Sequence, residues 1–144
     1  MNIDEIIIEE RMITINDIAN RLHKETINYK PHCLTSSAKG QIIESIVLRL
    51  PVPTIICTID KKGEILSVYN GSKIIEAVDS LFKNDSFTIA GASILTDLNG
   101  LTFSKVPPHI IRRIKETKIN LICIRETTTE ATKNIIKRYE NMEG

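Results

Sequence analysis

Four consecutive residues, Asn70-Gly71-Ser72-Lys73, put an amide, a turn-forming glycine, a hydroxyl and a cation where a strand gives way to a helix. The free amides of a helix start, together with a lysine, can hold a phosphate or similar anion; the same residues can equally be a plain strand-to-helix turn. A second cationic group, Lys105, Arg112, Arg113, Lys115 and Lys118, is set against Glu116 alone and could contact a nucleic-acid backbone. The alternative is a solvated helix face opposite Ile110, Ile111 and Ile114, and no aromatic residues are interleaved for base stacking. His23, His32 and His109 have no metal-ligand spacing to one another or to Cys33, Cys57 and Cys123, so neither a metal nor another cofactor is expected. Cys33 beside His32 lacks an orienting acid, and Ser72 lacks the Gly-x-Ser-x-Gly frame of a nucleophile elbow. Glu44 and Asp79 read as solvated acids on the wet sides of helices.

The elements that must position these groups start at Gly40. From there to Leu50, Ile42, Ile43, Ile46, Val47 and Leu50 recur at helical spacing, with Gln41, Glu44, Ser45 and Arg49 on the other side. Pro51 and Pro53 disfavour helical dihedrals in the residues before them, so the helix should stop at about Leu50. Thr54–Asp60 and Glu64–Tyr69 are rich in β-branched residues and are separated by Lys-Lys-Gly, which reads as a hairpin with Gly63 at positive φ. After Asn70-Gly71, the apolar residues Ile74, Ile75, Val78, Leu81 and Phe82 follow helical period, so the glycine turns a strand into a helix. Asn84 and Asp85 should end it.

Upstream, Ile3–Ile8 and Glu9-Glu10 suggest an edge strand or an acidic arm within residues 1–13. Thr14 or Asn16 can cap a helix whose buried face is Ile15, Ile18, Ala19 and Leu22. Residues 25–36 lack a period and carry Pro31, and Ser36 or Ser37 can cap the Gly40 helix. Residues 86–103 are short apolar pieces broken by Gly91, Asn99 and Gly100. Downstream, Pro107-Pro108 suits a helix start, Lys118–Ile124 reads as a strand, and Thr127-Thr-Thr-Glu130 has capping-box spacing for a last helix. The expectation is one domain over 1–144, without internal repeats: an α+β fold with a small mixed sheet, a central hairpin and about five helices.

The 144 residues are 42% hydrophobic and 26% charged, enough for a core and without an apolar run long enough to span a bilayer. The formal net charge of +1 gives no global attraction to nucleic acid or membrane, so any such contact must be local. Three widely spaced cysteines and no secretory start point to a reducing place, the cytoplasm or a virus particle assembled there.

The order of elements, with Gln41-Ile-Ile-Glu-Ser-Ile46 and Leu50-Pro-Val-Pro53, resembles the N-terminal domain of GmrSD-type restriction proteins, which has a ParB/sulfiredoxin-like fold. The similarity runs from about Thr14 to the end and includes Phe103-Ser-Lys-Val106, Arg112-Arg113 and Lys137–Gly144. Where that family carries Asp-Gly-Gln-Gln-Arg, this chain has Asn70-Gly71-Ser72-Lys73-Ile74, and where it carries Tyr-Gln-Arg, the nearest match is Tyr29-Lys30-Pro31. Phosphodiester hydrolysis needs a carboxylate to hold a metal or act as base, and cations to stabilise the developing charge. Asn70 supplies no carboxylate, and Ile74 no guanidinium. The resemblance therefore implies a retained scaffold with its chemistry removed: a non-catalytic binding or structural module for nucleic acid, a nucleotide, a protein partner or a second copy, related to restriction or phage proteins. The alternative is a residual DNA nuclease or nucleotide hydrolase using displaced residues such as Lys30, Lys73 and Glu44.

Overall fold

The computed structural model describes residues 7–83, 85–125 and 130–142. The chain runs β1 (Ile8–Thr14), α1 (Ile15–His23), β2 (Ile27–Asn28), α2 (Ser36–Leu48), β3 (Ile55–Ile59), β4 (Leu66–Asn70), α3 (Ser72–Lys83), α4 (Pro108–Glu116), β5 (Lys118–Arg125) and α5 (Glu130–Met142). The strands form one mixed sheet in the order β1-β5-β3-β4-β2, so the fold is α+β, with β3 of the hairpin at its centre. β1 runs antiparallel to β5 and β3 antiparallel to β4, whereas β3–β5 and β4–β2 are parallel.

Period-two alternation decides which side chains meet the helices. Ile13, Ile119, Leu121, Cys123, Ile55, Cys57, Leu66 and Val68 fall on one face in matching register and join the main core. Against them pack Ile15 and Ile18 of α1, Ile43, Ile46 and Val47 of α2, Ile74, Ile75, Val78 and Leu81 of α3, and Ile114 of α4. Such side chains each contribute about 1.5–3 kcal/mol on full burial, so the helix–sheet layer carries most of the stability. On the other sheet face Ile56, Thr58 and Ile124 are buried as well, and α5 lies against β4.

The local signals explain the boundaries. Thr14 accepts the Asp17 amide at 3.0 Å and caps α1. Thr35, one residue earlier than expected, accepts the Ala38 amide at 3.1 Å and caps α2. The helix α2 ends at Leu48, before Pro51 can act: Arg49 turns left-handed at φ 57°, and the Leu50 amide returns to the Ser45 carbonyl at 2.9 Å. In the hairpin, Gly63 has φ 73° as expected, and Asp60 accepts the amides of Glu64 and Ile65. Pro107-Pro108 does open α4. The aperiodic stretch 25–36 contains the two-residue strand β2, made possible because β4 offers its edge. The N-terminal strand is placed at Ile8–Thr14, and the capping box at Thr127–Thr129 lies outside the described residues. No described helix is long and apolar enough to cross a membrane.

Gly40 sits where α2 meets the segment around Ala90. A Cβ there would lie 1.6 Å from the Ala90 carbonyl oxygen, and one on Gly91 would lie 2.6 Å from the Ser37 carbonyl oxygen. Two reciprocal glycines thus let one backbone touch the other.

Candidate functional site

The Asn70–Lys73 turn is built inward. Asn70 ends β4 and its Nδ2 donates to the Thr54 carbonyl at 2.7 Å, tying the strand to the residue that leads into β3. Gly71 takes φ +90°, and a Cβ on it would come within 3.0 Å of Ile55 Cγ1. Its carbonyl accepts the Ile74 amide at 3.1 Å and so starts α3. Ser72 is completely buried; Lys73 alone of the four is exposed to solvent. The turn therefore works as a packed joint between strand and helix. Lys30 is also exposed.

The second group of cations is brought together only in part. At about 100° per residue, Arg112 points away from the buried Ile114, while Arg113 and Lys115 fall on opposite flanks of α4. Arg113 is already engaged: its Nε donates to the Val47 carbonyl at 2.6 Å, satisfying one of the orphan carbonyls at the end of α2. Lys105 closes the 3-10 turn Phe103–Lys105, and Lys118 opens β5 opposite Thr14. Lys105, Arg112 and Lys118 are exposed, Lys115 half-buried.

Sequence reasoning placed Glu44 on a wet face, and the structure corrects this. Glu44 is 5% exposed, and its carboxylate accepts the amides of Ser93 (3.3 Å), Ile94 (2.9 Å) and Leu95 (2.7 Å). Those bonds, led by Leu95, outweigh burial and hold its carboxyl below the ordinary glutamate range. Glu76 of α3 is likewise 5% exposed and accepts the amides of His32 (2.7 Å), Cys33 (3.1 Å) and Leu34 (2.8 Å). Burial pushes its carboxyl up, but the amides of Leu34, His32 and Cys33 prevail and hold it down. Asp79, half-buried, accepts the Tyr29 hydroxyl at 2.7 Å. Burial, then this bond to Asp79, raises the Tyr29 phenol above its usual range.

A signal for the two clamps is present in the sequence. Gly40-Gln-Ile-Ile-Glu44 and Ser72-Lys-Ile-Ile-Glu76 place a small residue, an isoleucine and a glutamate at the same helical positions. In α2 the buried stripe is Gly40, Ile43, Glu44 and Val47; in α3 it includes Ser72, Ile75 and Glu76. An acid inside an i, i+3, i+4 stripe points inward.

A cleft of about 490 Å³ beside α1 is lined by Arg11, Asp17, Arg21 and Lys24 over an apolar floor that includes Ile13, Leu66 and Leu121. Its arginines are already paired. Arg21 Nη1 donates to the Glu64 carbonyl at 2.9 Å, and Arg11 Nη2 to Glu9 at 2.7 Å. Cys57 and Cys123 are register partners on β3 and β5 and both are buried; Cys33 is exposed. Among the described residues no three His, Cys, Asp or Glu side chains gather as a metal site.

Comparison with protein-family models, with curated proteins and with solved structures gives no match.

Proposed function

We propose that this chain is a non-catalytic binding module on a ParB/sulfiredoxin-like scaffold, holding a nucleic-acid backbone through Lys105, Arg112 and Lys115. The observation that carries the reading is the state of the carboxylates. Glu44, the acid a displaced hydrolytic centre would use, is filled by three backbone amides, and Glu76 is filled the same way. Three amides take three of the roughly four acceptor sites of each carboxylate, and both groups are buried, so neither is open to a metal or an attacking water. Beside Gly71, where the resembled family keeps its acid, Asn70 is committed to Thr54. What remains available to an anionic partner is exposed charge, foremost Arg112 and Lys105. Such a module acts in the cytoplasm, or in a virion if a phage encodes it.

The test is binding to fluorescently labelled DNA across a salt series. Affinity should fall with salt, and Arg112→Ala combined with Lys105→Ala should flatten the slope by about two phosphate contacts. Absence of binding at the lowest salt would remove the nucleic-acid part of the reading. Cleavage of DNA or of a nucleoside triphosphate with magnesium present, lost in Lys73→Ala or Glu44→Gln, would overturn the non-catalytic part.

A further inference from the structure

Among the described residues the strand β1 is a sheet edge, and the hydrogen-bond phase of its inner side fixes what its outer side offers. Arg125 donates its amide to the Ile7 carbonyl at 2.9 Å, and the register continues without a shift as Glu9↔Cys123, Arg11↔Leu121 and Ile13↔Ile119. In an antiparallel ladder such bonded pairs alternate with unbonded ones. The odd residues therefore spend their amides and carbonyls on β5, and Ile8, Glu10 and Met12 direct theirs away from the sheet. The edge has seven residues, IEERMIT, with no proline or bulge, and its charges are Glu9, Glu10 and Arg11. Ile8 and Met12, on the face opposite α1–α4, are 53% and 57% exposed.

We infer that β1 pairs antiparallel with β1 of a second copy of this chain, about a two-fold axis perpendicular to the sheet at Glu10, joining two five-stranded sheets into one. Such an axis keeps each sheet face on one side, so facing residues must share parity. It also requires the outward groups of Ile8, Glu10 and Met12 to be the bonded ones. Centring on Glu10 meets both conditions: Ile8 faces the copy's Met12 and Met12 the copy's Ile8, giving two apolar pairs on one face that flank the Glu10 pair. On the other, Glu9 faces the copy's Arg11 and Arg11 the copy's Glu9. These are the unbonded pairs, whose Cα atoms approach most closely, so opposite charges take the short separation. Arg11 and Glu9 already pair at 2.7 Å within one chain, so the two copies would close an alternating ring of four charges. The like pair, Glu10 with its copy, falls in the wider bonded position with its side chain exposed. Neighbouring centres are worse: centring on Glu9 or Arg11 sets that charge against itself at the short separation.

The test is sedimentation velocity across a concentration series, with reductant present so that Cys33 cannot crosslink, and circular dichroism to confirm folding. The wild-type chain should dimerise. Glu10→Pro deletes an outward amide while sparing the bonds to β5, and should leave a monomer. Glu9→Arg and Arg11→Glu should each weaken the dimer by about tenfold or more, since each turns two attractive pairs repulsive, and the double exchange Glu9→Arg/Arg11→Glu should restore it. Should Glu10→Pro unfold, the charge exchange decides. A wild-type chain that stays monomeric at its highest soluble concentration, or a dimer indifferent to both reversals, overturns the inference.

Discussion

Glu44 and Glu76 each end an Ile-Ile-Glu sequence on the buried side of a helix, and each accepts three successive backbone amides from a distant loop. Glu76 holds the loop that leads into α2, and α2 in turn carries Glu44, which holds the segment at Ser93–Leu95. The helices and loops are linked in series by two buried carboxylates.

Replacing Glu76 by alanine should leave the amides of His32, Cys33 and Leu34 without their acceptor and cost about 3 kcal/mol or more, with Glu76→Gln losing less because one oxygen remains. Urea unfolding would measure both. Near-wild-type stability in Glu76→Ala would mean that water replaces the carboxylate without loss.

The contribution of Glu76 should depend on acid in a fixed sense. Its folded pKa is depressed, so the stabilisation is complete above the unfolded value of about 4.3 and fades as pH falls through the folded value. The gap in melting temperature between the wild type and Glu76→Gln should therefore be widest near neutrality and narrow below about pH 4. A gap that widened on acidification would reverse the sign assigned here.

Gly40→Ala should destabilise more than Gly100→Ala. The first drives a methyl into the Ala90 carbonyl oxygen at 1.6 Å, so backbone must move, at about 1–3 kcal/mol or beyond. The second enters open space and meets only the strain of φ +86°, about 1 kcal/mol. Chemical denaturation of the two variants side by side gives the order.

Adjacent arginines should separate by role. Arg113→Ala removes the Nε bond to the Val47 carbonyl and should lower stability by about 1 kcal/mol. Arg112→Ala should leave stability within about 0.5 kcal/mol of wild type while weakening DNA binding. Identical effects of the two on both measurements would show that α4 has no exposed pole distinct from its structural flank.

Much of the architecture is legible in the sequence because it rests on local physics. The hairpin at Gly63, the glycine joint at Gly71, the caps of α1 and α4 and the helical period of α3 each need only near neighbours. The clamps are less legible. The helical stripe turns Glu44 inward, but its partners are the amides of Ser93–Leu95, about fifty residues later, and no local pattern announces that loop. Likewise Arg112 and Arg113 look equal in sequence and differ only because the end of α2 lies beside one of them. At the candidate site, the packing of Asn70, Gly71 and Ser72 follows from Thr54 and Ile55, which the hairpin carries back across the sheet.

The two carboxylate clamps also order events in time. Neither loop has a regular ladder of its own to settle into, and each acceptor lies more than forty residues away in sequence. Closing such contacts is entropically expensive until the helices bearing Glu44 and Glu76 are docked on the sheet. The loops at 32–34 and 93–95 should therefore lock last on the way to the native state and release first from it, exchanging their amide protons through openings that leave β3 and β5 intact.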